Sequence, residues 1–190
     1  MIIAMLCVHT SPLASLGGKK TGGMNVYVRD LCRELGRRGI HVDVFTRIQD
    51  ENTPRIQEGG ENFRVINVTA GNPQFLHPTK VEEHLDQFAD NVVTFAAKED
   101  ITYDVIHAHY WLSGIAADKL RTRWNRPIPI IQMFHTLGAL KNRIAPTSDH
   151  RAPQSRIDGE TKIVQQIADR LIVATPAGKA QLIDLSLIHI

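Results

Sequence analysis

The chain has 190 residues, 43% apolar and 22% charged, enough for one well-cored globular domain or two small ones. A formal net charge of +2, with no basic run longer than Arg37-Arg38, argues against a nucleic-acid-binding surface. The apolar start, residues 1–8, lacks a basic leader and is too short to span a bilayer, and Cys7 and Cys32 read as reduced core thiols, so the expectation is a cytoplasmic protein without signal peptide or membrane anchor.

In chain order, residues 2–8 (IIAMLCV is their core) predict a buried strand. Val26, Val28, Leu31, Cys32 and Leu35 recur at helical spacing over residues 25–38, with Gly39 as the stop. Strands are expected at 41–46 (HVDVFT) and 63–68 (FRVINV), then one helix over 80–98. A strand at 103–109, a helix at 112–124 and a strand at 128–134 follow. A polar loop is expected from Thr136 to Ser155, then a helix at 157–168, a strand at 170–175 and a new helix from 176. Strand and helix alternate throughout, which predicts an α/β class with a doubly wound, mostly parallel sheet. The last six residues, LSLIHI, back-translate to CTG TCT CTT ATA CAC ATC, which resembles a transposon-end adaptor. Residues 185–190 are therefore expected to be a read-through tail and 1–184 the domain proper.

The stretch SLGGKKTGGMN, residues 15–25, opens a helix with bare backbone, an arrangement suited to an anionic ligand. It is not the dinucleotide fingerprint: its first glycine comes too late after the first strand, and the second strand ends Thr46-Arg47 without the carboxylate that would hold a ribose. Nor is it a phosphate loop of the G-K-[ST] kind, since Lys19 and Lys20 precede the final glycines. The expected picture is a long loop with its backbone open at Gly22-Gly23 and the amide of Asn25 in the first helical turn.

Several polar residues follow predicted strands and should converge on the carboxyl edge of the sheet, where open α/β sheets bind ligands. His9 and Thr10 follow the first strand, His109 and Tyr110 the fourth, and His135 and Thr136 the fifth. Lys80 opens a helix, and Arg156 begins another. Lys80, Tyr110, Thr136 and Arg156 together would form a cradle of two charges and two hydroxyls, matched to a phosphomonoester dianion. His107-Ala-His109 has the spacing of a metal pair, but without a carboxylate-rich partner set no metal site is expected.

The segments HTSPLA, TGGMNVYVRDLCRELGRRGIHVDVFTR, DVIHAHYWLSG, MFHTLGALKN and RIDGETKIVQQIADRLIVAT together resemble the N-terminal half of retaining GT-B glycosyltransferases of family GT4. Within that family they are similar to enzymes that glycosylate inositol 3-phosphate at the start of mycothiol synthesis, and more distantly to sucrose-phosphate synthases. The resemblance implies an acceptor-binding Rossmann-like domain that faces a donor-binding domain across a cleft. It implies acceptor contacts at His9, Asn25, Lys80, Tyr110, Thr136 and Arg156, the last four on the phosphate. It also implies donor contacts at Gly22, Gly23, Ser15 and Leu16, and a place for His135 beside the donor sugar as the catalytic candidate.

The implied reaction moves a hexosyl group from a nucleotide-sugar, UDP-GlcNAc or UDP-glucose, to a phosphorylated polyol or sugar. No cofactor is expected to be tightly bound, Mg2+ would enter only with the diphosphate, and a homodimer is compatible. Ser15-Leu16 and Lys19-Lys20-Thr21 depart from the Gln-Pro and acidic residues usual in the mycothiol enzymes, while Asn25 differs from the Gln of sucrose-phosphate synthases. A GT-B enzyme needs a further domain of roughly 100–200 residues to carry the donor clamp, so this chain alone is expected to be inactive. The alternatives are a sucrose-phosphate-synthase-like glucosyltransferase and a non-catalytic sugar-phosphate-binding module.

Overall fold

A computed structural model of the chain describes residues 1–14, 22–145 and 147–185. Among them one sheet of seven strands runs β3-β4-β2-β1-β5-β6-β7. The strands are β1 (Ile2–Leu6), β2 (His41–Arg47), β3 (Ile56–Gly60), β4 (Phe63–Val68), β5 (Val105–His109), β6 (Ile130–Met133) and β7 (Arg170–Leu171). Every pairing is parallel except β3 with β4, a hairpin that borders the sheet. The helices are α1 (Gly23–Arg37), α2 (Pro78–Glu82), α3 (Leu85–Lys98), α4 (Trp111–Trp124), α5 (Gly138–Ile144), α6 (Gln154–Lys162) and α7 (Pro176–Asp184).

In-register pairing puts Ile3, Met5, Val42 and Val44 on one face, where they meet Val28 and Cys32 of α1. Ala4, Leu6, Phe45, Ile66, Ile106 and Ala108 point to the other face, against α3, α4 and the end of α6. Both cysteines are buried and free, and burial raises the pKa of each thiol. A polar network pins the amino end of the sheet. The buried carboxylate of Asp43 takes two hydrogen bonds from Arg64, at 2.6 and 3.1 Å, and one from Tyr103 Oη at 2.6 Å. Asp43 is thus a structural residue facing away from the ligand edge.

The structure differs from the sequence-based expectation in five places. The single helix of 80–98 is two, α2 and α3, separated at Glu83-His84. The hairpin strand β3 (IQEGG) was not expected, because one isoleucine among five residues carries no period-2 apolar signal. The polar stretch 136–155 contains α5 and a 3-10 turn at Ser148–His150, and α6 continues into a π-helical turn, Ile163–Ile167. The strand expected at 170–175 pairs only over Arg170–Leu171, since β7 borders the sheet. Leu185, expected to begin the tail, caps α7 and packs against the core, while residues 186–190 lie outside the described residues.

Candidate functional site

The chain leaves β1 outward through β2 to β4, then crosses back to β5 on the other side of β1. That reversal opens a crevice between the carboxyl ends of β1 and β5, the place where doubly wound sheets take ligands. His9 and Tyr110 meet across it, their ring centroids 4.4 Å apart. At the end of β2, where a dinucleotide fold would carry its ribose carboxylate, Arg47 turns inward instead. Its guanidinium donates to the carbonyls of Ala70, Asn72 and Gln74 and so holds the loop after β4.

Asn25 closes the same edge from the helix side. Its Oδ1 accepts from Gly22 N–H at 3.2 Å, the reaching-back half of a capping box, and its Nδ2 donates to Thr10 Oγ1 at 2.7 Å and Ser11 O at 2.6 Å. Both amide hydrogens are therefore committed inside the chain, and a ligand reaching Asn25 meets only the remaining lone pair of Oδ1. A Cβ added at Gly22 or Gly23 would meet nothing within 4 Å, so no described residue fills the room beside this backbone. Ser15 and Leu16 lie outside the described residues.

Three of the four residues expected to hold a phosphate do assemble. The buried Arg156 donates from Nη2 to Thr136 O at 2.8 Å and Thr136 Oγ1 at 3.1 Å, and its guanidinium carbon lies 4.8 Å from the centroid of the Tyr110 ring. What aligns it was not foreseen. Glu160, one turn further along α6, takes Arg156 Nε at 2.7 Å while both its oxygens accept from Gly138 N–H at the start of α5. Burial pushes the Glu160 carboxyl up, against the pull of Arg156. The spacing R-x-x-x-E was the available signal, but its burial was not readable. Lys80 does not join them: its side chain is 65% exposed and pairs with Glu83 at 2.8 Å.

Tyr110 and His135, which follow β5 and β6, both adopt positive φ, +73° and +62°. For non-glycine residues such backbone costs about 1–3 kcal/mol and gathers at functional sites. Gln132, wholly buried on β6, braces the first by donating from Nε2 to Tyr110 O at 3.2 Å and Met133 O at 3.1 Å. Gly114 makes this possible, since a Cβ there would stand 2.5 Å from Gln132 Oε1. His135 Nε2 lies 2.9 Å from Nδ1 of the buried His109, with the His107 ring tilted behind it at a centroid distance of 4.2 Å. Burial pushes His107 and His135 down to about 4 and His109 well below its ordinary value, so all three rings are neutral near pH 7.

A cavity of about 650 Å³ adjoins the Arg156 side, walled by His135, Thr136, Leu140, Ile172 and Leu182. Among the described residues no cluster of three or more His, Cys, Asp or Glu is placed to hold a metal, and no helix is long and apolar enough to cross a membrane.

This mostly parallel sheet with its polar carboxyl edge is that of a doubly wound α/β domain, and the chain belongs to the glycosyl transferase 4-like domain family, whose model matches residues 22–188. Its relatives make the placement more specific. It is 42% identical, over 177 residues, to a D-inositol 3-phosphate glycosyltransferase of Corynebacterium urealyticum, covering 93% of this chain and 41% of that protein. The Kineococcus radiotolerans protein of the same name is 38% identical over 96% of this chain and 42% of its own length. The sucrose-phosphate synthase of Thermosynechococcus elongatus superposes with a TM-score of 0.86 at 33% identity, over 96% of this chain and 44% of that one. The chain thus spans about two fifths of the length of the curated relatives it matches.

Proposed function

We propose that the chain is the acceptor-binding part, residues 1–184, of a retaining hexosyltransferase that transfers from a nucleotide-sugar to a phosphorylated polyol, inositol 3-phosphate first among them. The observation that carries the reading is the buried Arg156, fixed by Glu160 beside the Thr136 hydroxyl and the Tyr110 ring. A guanidinium held in this way recognises a phosphate dianion at little entropic cost. The names of the 42%-identical relatives point to the same acceptor. His9 lines the crevice for the acceptor ring, Asn25 shapes its wall, and Lys80 reaches the phosphate by leaving Glu83.

The donor diphosphate approaches the open backbone at Gly22 and Gly23, with Ser15 and Leu16 in the loop before it, and brings Mg2+ with it where the ion is used. In the transfer the bond from the sugar's anomeric carbon to the diphosphate oxygen breaks, and a bond to the acceptor hydroxyl forms on the same face. The hydroxyl proton leaves with the departing diphosphate. The protein contributes positioning and stabilises negative charge on the leaving group, so no carboxylate pair of the glycosidase kind is required. The donor clamp belongs to a further domain.

Titration of this chain with inositol 3-phosphate should give saturable binding that unphosphorylated inositol does not. Arg156→Ala should weaken it at least tenfold, in line with about 1.5–3 kcal/mol for a charge-assisted hydrogen bond. Equal binding of both ligands, or an unchanged Kd in the variant, would reject the assignment. The sucrose-phosphate synthase superposition supports a second reading in which the acceptor is a ketohexose phosphate, and the same titration with fructose 6-phosphate separates the two.

A further inference from the structure

The two histidines that meet at the ends of β5 and β6 have unequal surroundings. His109 is fully buried; its Nδ1 faces His135 Nε2 at 2.9 Å, and its own Nε2 has no hydrogen-bond partner among the described residues. His135 is only partly buried, on the cavity wall, and its Nδ1 is the nitrogen left for a ligand. Tyr27 of α1 sits edge-on to both rings, with centroids 5.4 Å from His135 and 6.1 Å from His109, and the His107 ring lies tilted against His109.

Between two neutral imidazoles a single proton occupies the hydrogen bond, so one ring donates and the other accepts. If His135 donated, His109 would carry its own proton on Nε2, leaving a buried N–H without an acceptor. If His109 donates from Nδ1, its Nε2 is a bare lone pair. Orphaned N–H groups are the rarer defect in protein interiors, and acceptors with a spare lone pair the more tolerated one.

We infer that His109 is a positioning residue: it donates Nδ1–H to His135 Nε2 and locks His135 in the tautomer that carries its proton on Nδ1. In this form the remaining ring nitrogen of His135, Nδ1, is a hydrogen-bond donor and cannot accept the proton of an incoming hydroxyl. It is suited to an oxygen that gains negative charge or to a sugar hydroxyl, while the acceptor's proton goes to the departing diphosphate. That role rests on the reading proposed above; the tautomer itself does not.

Long-range 1H–15N correlation spectra of the histidine rings, taken on this chain near pH 7, read the tautomer directly. His135 is expected with a protonated Nδ1 and a bare Nε2. His109→Asn, whose amide can place an N–H near the position of Nδ1, should keep that signature. His109→Leu should release His135 to the Nε2–H form that free neutral histidine prefers. A proton on His135 Nε2 in the unsubstituted chain overturns the inference, as does one unchanged tautomer in all three proteins; if the leucine variant does not fold, the unsubstituted chain and the asparagine variant still decide. Absence of inositol phosphate binding with the tautomer intact would instead reject the inositol phosphate acceptor and leave the histidine pair standing.

Discussion

Arg156 is held in place before any ligand arrives, and the residue that holds it is Glu160. Both side chains are almost fully buried, so each is the other's counter-charge in a medium that penalises an unpaired ion. Glu160→Ala leaves the guanidinium buried without its partner and also frees Gly138 N–H, and should cost about 3–5 kcal/mol of stability by urea unfolding. Glu160→Gln keeps one carbonyl oxygen that can accept from both Gly138 N–H and Arg156 Nε, as Glu160 Oε1 does, and should cost clearly less. Equal losses would show that charge is not what the pair supplies. Residues that directly follow strands, His9, Tyr110, His135 and Thr136, were legible as site candidates because the α/β rule places the ends of strands at the ligand edge. Glu160, Gln132 and the partner role of His109 were not legible, because each acts through a contact whose other half comes from a different strand or helix. The capping bond from Asn25 to Gly22 N–H could have been read from their spacing, whereas the grip of Asn25 on Thr10 depends on how the loop after β1 folds back.

At the scale of elements, the strongly apolar strands were read almost to the residue. β2 runs Val42-Asp-Val-Phe-Thr with every one of these side chains buried, and its neighbours β1 and β5 are equally continuous. The elements that escaped detection are short and peripheral: β3 pairs in the sheet with β4 alone, its Gly59 O also accepting from Arg33 Nε of α1, and α5 is tied to α6 through Gly138 and Glu160. The same asymmetry predicts how the sheet opens. Amides of β1, paired on both sides, should exchange with solvent only through global unfolding, while those of β7, bonded to β6 alone over two residues, should exchange through local opening. Hydrogen exchange followed by mass spectrometry should show peptides over 170–175 labelling orders of magnitude faster than those over 2–6; equal protection would mean that β7 opens only with the whole sheet.

For the molecule as a whole, the buried histidines couple stability to pH. His107 has its value pushed down to about 4 and His109 well below its ordinary value, by burial first and by neighbouring imidazoles second, so both stay neutral in the folded state as the pH falls below 6.5. In the unfolded chain they return to about 6.5, and the unfolded state then binds more protons below that pH. Their contribution is present in full above pH 6.5 and is lost as pH falls toward 4, by up to about 1.4 kcal/mol per pH unit for each ring. Urea unfolding should therefore give a lower stability at pH 5 than at pH 7, and His107→Gln should reduce that slope by about one proton. A slope unchanged by the substitution would show that His107 titrates alike in both states.

Tyr110 and His135 carry bulky rings on backbone that glycine would occupy without strain. Glycine would relieve that backbone, but it would also take the Tyr110 ring away from Arg156 and His9 and the His135 ring away from His109 and Tyr27. For Tyr110, which packs against the core, losing the ring costs about 3–5 kcal/mol against about 1–3 kcal/mol of strain relieved. The bent backbone of this edge is thus kept in shape by the rings it carries, and shortening either ring to alanine would leave the strain while removing the contacts that hold it.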